Sequence, residues 1–166
     1  MSKKVLLAGE SWMSYTTHVK GFDAFYTSTY ETGEKWLKAA LEAGGYEVTF
    51  LPNHLANEEF PFTMEELKQY DLVILSDIGA NTLLHARPRL PVLHPRSVPY
   101  DHRPSEPQLE EPPVEGDPFI AFASYGKGRS GVVTTDCAPH WAPPEFCEWE
   151  YYNKLWQNIA DWLIQK

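Results

Sequence analysis

The chain has 166 residues, of which 43% are hydrophobic, 22% charged and 14% aromatic, the proportions of one ordinary globular domain with a packed core. Its 14 Lys and Arg against 23 Asp and Glu leave a net charge of -9, which argues against nucleic-acid binding, because that affinity rests on cations that neutralise phosphates. No run of about 18 apolar residues is present to span a bilayer, and Cys137 and Cys147 are too few for a disulfide framework; a cytoplasmic protein is expected.

In chain order, Lys4–Gly9 is a short apolar run ending in Gly. A run apolar on both faces predicts a central parallel strand, not a signal peptide. Residues 33–43 read as a helix, with Trp36, Leu37, Ala40 and Leu41 on one face, Glu34 and Lys38 at ion-pair spacing, and Gly44-Gly45 as the stop. Glu47–Leu51 is the second strand. Thr63-Met64-Glu65-Glu66 is a capping box that opens a short helix over 64–69. Leu72–Ser76 is the third strand. This β-α-β-α-β order implies an open parallel sheet with right-handed crossovers.

The pattern stops at His85. Nine of the 14 prolines fall between His85 and Pro118. Proline removes backbone donors and biases the residue before it away from helix. The span 85–117 therefore reads as a Pro-rich irregular connection inside a single domain over 1–166, and it is the expected first point of proteolysis. Its composition admits a linker that replaced deleted structure, or a disturbed reading frame. Order returns with 119–123 and 131–135, two strands joined through Tyr125-Gly126-Lys127-Gly128-Arg129. After Pro143-Pro144, the spacing of Phe146, Trp149, Tyr152, Trp156, Ile159 and Leu163 predicts one C-terminal helix packed on the sheet.

Ligands in open α/β sheets bind beyond the carboxyl ends of the strands. Three segments fall there: Glu10-Ser11-Trp12, the stretch from Asp77, and Asp136 to Trp141. They nominate Glu10, Ser11, Trp12, Asp77, Asp136, His140 and Trp141 as ligand-binding residues. Glu10 and Trp12 should share a cleft with His140 and Trp141, because both segments leave strands of one sheet. A Trp wall with carboxylates and a His suits a small polar ligand with an apolar face, such as a sugar or a nucleobase. Each residue has a plainer role as well: Asp77 and Asp136 as turn caps, Cys137 as a small buried hydrophobe, Trp141 as a plug at the base of the helix. No metal site is expected, and the cofactor and a homo-oligomer are left open.

The stretches Val5 to Trp12, Tyr70 to Gly79 and Tyr125 to Trp141 resemble the class I glutamine amidotransferase-like family, in its branch of uncharacterised bacterial cytoplasmic proteins. Trehalose-utilisation (ThuA-like) proteins are a more distant likeness. The resemblance implies a flavodoxin-like α/β fold: an open, mainly parallel sheet with flanking helices, then a C-terminal hairpin and helix. It also implies a Cys-His-Glu triad with the Cys on a Gly-flanked elbow between strand and helix. That elbow strand and helix are missing here, and Ala142 stands where the triad Glu would follow His140. Glutaminase activity is therefore not expected. The alternative is a ThuA-like hydrolase or sugar-modifying enzyme using Glu10, Asp77, Asp136 and His140.

Overall fold

A computed structural model describes residues 2–84 and 119–165. The Pro-rich span expected over 85–117 lies outside the described residues.

Among the described residues, three strands form the parallel sheet in the order β4-β1-β5: β1 (Lys3–Gly9) in the middle, β4 (Tyr46–Pro52) and β5 (Leu72–Ser76) on its sides. Val5 pairs with Val48 on one side and Leu72 on the other. Successive side chains of a strand point to opposite faces. Val5 and Leu7 accordingly enter one core with Leu37, Leu41, Tyr152 and Trp156, while Leu6 and Ala8 enter a second with Leu51 and Ala56. Burial on both faces is why β1 carries no polar residue after Lys4.

Helix α1 (Glu34–Ala43) buries Leu37, Ala40 and Leu41, the face its spacing predicts. Lys38 pairs with Glu42 at 3.9 Å rather than with Glu34. Helix α2 (Asn53–Glu59) follows β4 directly, and α3 (Met64–Leu67) carries the predicted capping box of Thr63 and Glu66. After β5 comes α4 (Ala80–Leu84).

Three features differ from the sequence reading. Residues 11–32 form a long antiparallel hairpin, β2 (Ser11–Lys20) and β3 (Asp23–Thr32), that the hydrophobic pattern did not announce. Among the described residues the later hairpin, β6 (Ile120–Tyr125) and β7 (Gly128–Val133), is its own two-stranded ladder and pairs with no strand of the parallel sheet. It packs through Phe122 and Arg129 onto Trp162, the guanidinium 4.7 Å from the ring centroid. The C-terminal helix is two helices, α5 (Pro144–Cys147) and α6 (Tyr152–Ile164). Between them, Trp149 N–H donates to the Phe146 carbonyl and Tyr152 N–H to that of Trp149, tight turns that redirect the axis. The redirected chain brings the Cys147 thiol and the Tyr152 hydroxyl to one acceptor, the carbonyl of Cys137.

Candidate functional site

β1 and β5 end at the same level, with Gly9 paired to Ser76. Gly9 has φ +112, and a Cβ there would stand 1.8 Å from the Ser76 carbonyl oxygen, so only glycine fits. The next residues, Glu10 (φ +44) and Asp77 (φ +46), both take the left-handed conformation. Glu10 N–H donates to the Ser76 carbonyl, and the Glu10 carbonyl accepts from Gly33 N–H, each at 2.9 Å. This double tether turns the Glu10 side chain beneath the strand ends.

Glu10 is fully buried. Its Oε1 accepts from the Ser76 hydroxyl and from the Cys137 thiol, the latter at 3.3 Å. Its Oε2 has no hydrogen-bond partner and faces Gly33, where a Cβ would come within 2.6 Å of it. Burial raises the Glu10 pKa, and the nearby charges of Asp136 and Asp77 push the same way against the Ser76 bond. Cys137 is buried too, and burial together with the charge of Glu10 pushes its thiol far above the ordinary range.

Asp136 organises the turn that follows. Its Oδ1 accepts from the N–H groups of Cys137 (2.7 Å) and Ala138 (3.3 Å), and its Oδ2 from Trp141 N–H (3.0 Å). Glu10, Asp136 and Cys137 bring two oxygens and a sulfur within 4.8 Å of one another, a set that could hold a cation. In the arrangement present, the thiol donates to Glu10 and the Asp136 oxygens serve the turn.

Trp12 begins the exposed part of the site. Its ring lies 3.8 Å from that of His140, tilted 33°, and His140 in turn meets Trp141 edge-on at 4.8 Å. Trp12 Nε1 donates to Glu31 at 3.0 Å and the Ser14 hydroxyl donates at 2.7 Å, bonds that hold the Glu31 carboxyl below its ordinary value, Ser14 contributing most. Trp12, Glu31, Lys35, Trp36, Pro139 and His140 line a cleft of about 320 Å³.

On the other side of Trp12 lies a larger crevice of about 700 Å³. Its walls come from the segments that follow β1, β4 and β5: Met13 and Tyr30 from the long hairpin, His54 and Asn57 from α2, Thr82 from α4. This is where open parallel sheets place ligands. The Tyr30 hydroxyl and His54 Nδ1 are 3.2 Å apart. Ser11 Oγ accepts from Asn53 N–H at 2.8 Å and anchors the start of α2. Asn57 Oδ1 is buried with no hydrogen-bond partner among the described residues.

The nominated residues thus divide. Trp12, His140 and Trp141 come together, and Trp141 is 75% exposed, so it plugs nothing. Glu10 does not share their cleft: it is enclosed beneath it, as is nearly all of Ser11. Asp77 is exposed, and its charge reaches Glu10. Asp136 caps a turn. The two segments meet although, among the described residues, they leave different sheets and not the one sheet expected. Sequence reasoning missed Tyr30, His54, Asn57 and Thr82. A signal for two of them was present: Asn53, His54 and Asn57 follow the strand-ending Pro52 at one-turn spacing.

Comparison with known proteins places this geometry. The chain resembles two solved structures from Salmonella typhimurium. One is titled cytoplasmic protein STM3548 (TM-score 0.75, 23% identity, 98% of this chain and 99% of the other), and the second is cytoplasmic protein STM1381 of strain LT2 (TM-score 0.72, 23% identity, 96% and 99%). At that identity the likeness speaks for the fold. No curated protein sequence matches the chain significantly. The profile of the GATase1-like family, described as "putative glutamine amidotransferase", matches residues 4–100 and 94–165, and the chain belongs to that family.

Proposed function

We propose that the protein binds a small polar ligand with an apolar face, a sugar or a nucleobase, in the crevice beside Trp12, and that it does not hydrolyse glutamine. The observation that carries the binding reading is the 700 Å³ crevice at the carboxyl ends of β1, β4 and β5. Its lining combines the apolar faces of Trp12, Met13 and Tyr30 with the polar residues His54, Asn57 and Thr82. Aromatic walls with a few fixed polar groups are how proteins hold such ligands. The test is saturation-transfer NMR and calorimetry with glucose, ribose, adenosine and uridine. Binding to one of these, lost in Trp12→Ala and weakened about tenfold in His54→Ala (one hydrogen bond, ~1.4 kcal/mol), is expected. No binding by any, or binding indifferent to Trp12→Ala, overturns the reading.

The case against glutaminase rests on Cys137. A thiol attacks an amide as the thiolate, with a base beside it and donors for the oxyanion. Cys137 instead donates to a carboxyl group, is buried, and is followed by the Asp136-capped turn rather than a helix. His140 rests on Trp12. Ammonia release from glutamine that disappears in Cys137→Ser would overturn this. A hydrolase acting through Glu10, Asp77, Asp136 and His140 has no comparable support: the first is enclosed, the third caps a turn, and the fourth stacks on an indole. We further read residues 1–166 as one domain, cytoplasmic like the two Salmonella proteins it resembles, and without nucleic-acid affinity given its charge.

A further inference from the structure

The β2–β3 hairpin stands out from the body with almost every residue exposed. A lone two-stranded ribbon is at best marginally stable in water, and this one has ten residues per strand. Opposite residues share a face, and the pairing is Met13 with Tyr30, Tyr15 with Ser28, Thr17 with Tyr26 and Val19 with Ala24. Those eight form one face. The alternate face carries Ser14, Thr16, His18, Lys20, Asp23, Thr27, Thr29 and Glu31, interrupted by Trp12 at the root and by Phe25. The ribbon is therefore amphipathic, with its apolar face open to water beyond the root: Tyr15 is 79% exposed, Tyr26 77%, and Phe22 at the tip entirely, while Met13 and Tyr30 at the root are half-exposed beside His54.

The order of large and small residues on that face says what covers it. Its four rows run Met13/Tyr30, Tyr15/Ser28, Thr17/Tyr26, Val19/Ala24. Invert a second copy about a two-fold axis midway along the ribbon, lying in the plane of the face, and β2 stacks antiparallel on β2. Tyr15 then sits over Thr17 of the second copy, Tyr26 over its Ser28, Tyr30 over its Ala24, and Met13 over its Val19. Every tyrosine meets a small residue, and the reciprocal contacts follow by symmetry, as an isologous interface requires. An exposed aromatic side chain presents about 150–250 Å². The three tyrosines, Phe22, Met13 and Val19 thus present on the order of 700 Å², close to the roughly 800 Å² that each partner gives to a standard interface.

We propose that this ribbon is a dimerisation arm whose apolar face stacks antiparallel on the same face of a second copy of this chain. Phe22 extends one row past Val19, so in the stack it reaches the root of the other arm. There Ser11, Met13 and Tyr30 wall the 700 Å³ crevice, and each copy then contributes Phe22 to the mouth of its neighbour's crevice. Met13 and Tyr30 then serve both the stack and the crevice wall, while the central pairing of Tyr15 with Thr17 and of Tyr26 with Ser28 stands independently of what the crevice binds.

Sedimentation velocity on the whole protein tests it. The unmodified chain is expected as a dimer at micromolar concentration. Tyr15→Asp/Tyr26→Asp should be monomeric with unchanged circular dichroism, and Thr16→Asp/Thr27→Asp, on the other face, should remain dimeric. Thr17→Trp fills the space opposite Tyr15 and should raise the dimer Kd at least tenfold, whereas Thr16→Trp should leave it unchanged; this pair decides the matter if the double aspartate variant does not fold. Positions 13 and 19 are about 20 Å apart along one strand at ~3.4 Å per residue, so a shorter bismaleimide on Met13→Cys/Val19→Cys should link two chains. A monomeric unmodified protein, equal sensitivity of the two faces, or no covalent dimer from the cysteine variant overturns the proposal.

Discussion

The thiol of Cys137 donates to Oε1 of Glu10 across 3.3 Å, inside the protein and between two segments separated by most of the chain. In that contact an acid faces an acid. Glu10 raises the Cys137 pKa on top of the larger effect of burial, whereas the thiol's hydrogen bond lowers the Glu10 pKa against the larger, raising effect of its burial. The contact therefore holds the thiol in its protonated form, while burial is what favours the proton on Glu10.

Cys137 should be chemically quiet. A buried thiol with a raised pKa offers little thiolate, and only the thiolate reacts. Alkylation by iodoacetamide at mildly alkaline pH should run about a hundredfold slower in the folded protein than in urea for this residue. Mass-spectrometric mapping of labelled Cys137 against time measures this, and equal rates in the two conditions would contradict it.

Glu10 should shape the pH dependence of stability. Its folded pKa lies above the unfolded one, so its contribution is complete below the ordinary carboxylate range and is lost as pH rises through the folded value. Glu10→Gln removes that loss. The difference in thermal midpoint, variant minus parent, should grow in favour of the variant as pH rises from 4 to 8. A difference that is flat with pH would sink the assignment.

Three glycines should respond in graded fashion to alanine. Gly9→Ala puts a Cβ into the Ser76 carbonyl at a positive φ and should cost upwards of ~3 kcal/mol, enough to threaten folding. Gly33→Ala meets Glu10 Oε2 at 2.6 Å and the Ala138 Cβ at 2.9 Å, an overpacking cost of roughly 1–3 kcal/mol. Gly45→Ala has open space but φ +83, and should cost about 1 kcal/mol from the backbone alone. Urea titration of the three ranks them.

Tyr152→Phe isolates one hydrogen bond. The Tyr152 hydroxyl donates to the buried Cys137 carbonyl at 2.5 Å, and the thiol of Cys147, at 3.7 Å, is a poor substitute. Loss of about 1–2 kcal/mol is expected, with the midpoint shifted and the m-value unchanged. A neutral result would mean that water replaces the hydroxyl.

How much of this was legible depends on whether burial wrote itself into the pattern. Val5–Gly9 is apolar because it is enclosed on both faces, Glu47–Leu51 alternates buried and exposed residues, Leu72–Ser76 is an apolar run that is half-buried for most of its length, and all three were readable as strands. Thr63 and Glu66 announced their cap through local chemistry that needs no tertiary context. The 11–32 hairpin was missed because it buries almost nothing: its aromatics mark no core, and its own signal, Gly21 (φ +63) at the first position of a two-residue loop between β-branched and aromatic runs, is local and brief. The split between α5 and α6 escaped because the apolar spacing runs on through the break. At the site, position along the chain placed Trp12 and His140 near strand ends. The inward turn of Glu10 depends on a left-handed backbone and a tether to Gly33, neither of which composition or periodicity encodes.

The long hairpin is fixed to the body at a narrow root, where the Gly33 N–H bond to the Glu10 carbonyl closes its base. Strands of ten residues at ~3.4 Å each make a lever of about 34 Å. Its first rows, Met13 and Tyr30, are also a wall of the crevice. The inclination of the hairpin and the width of the crevice thus share the same few residues at the root, so that any change in the first would alter the aperture beside Trp12.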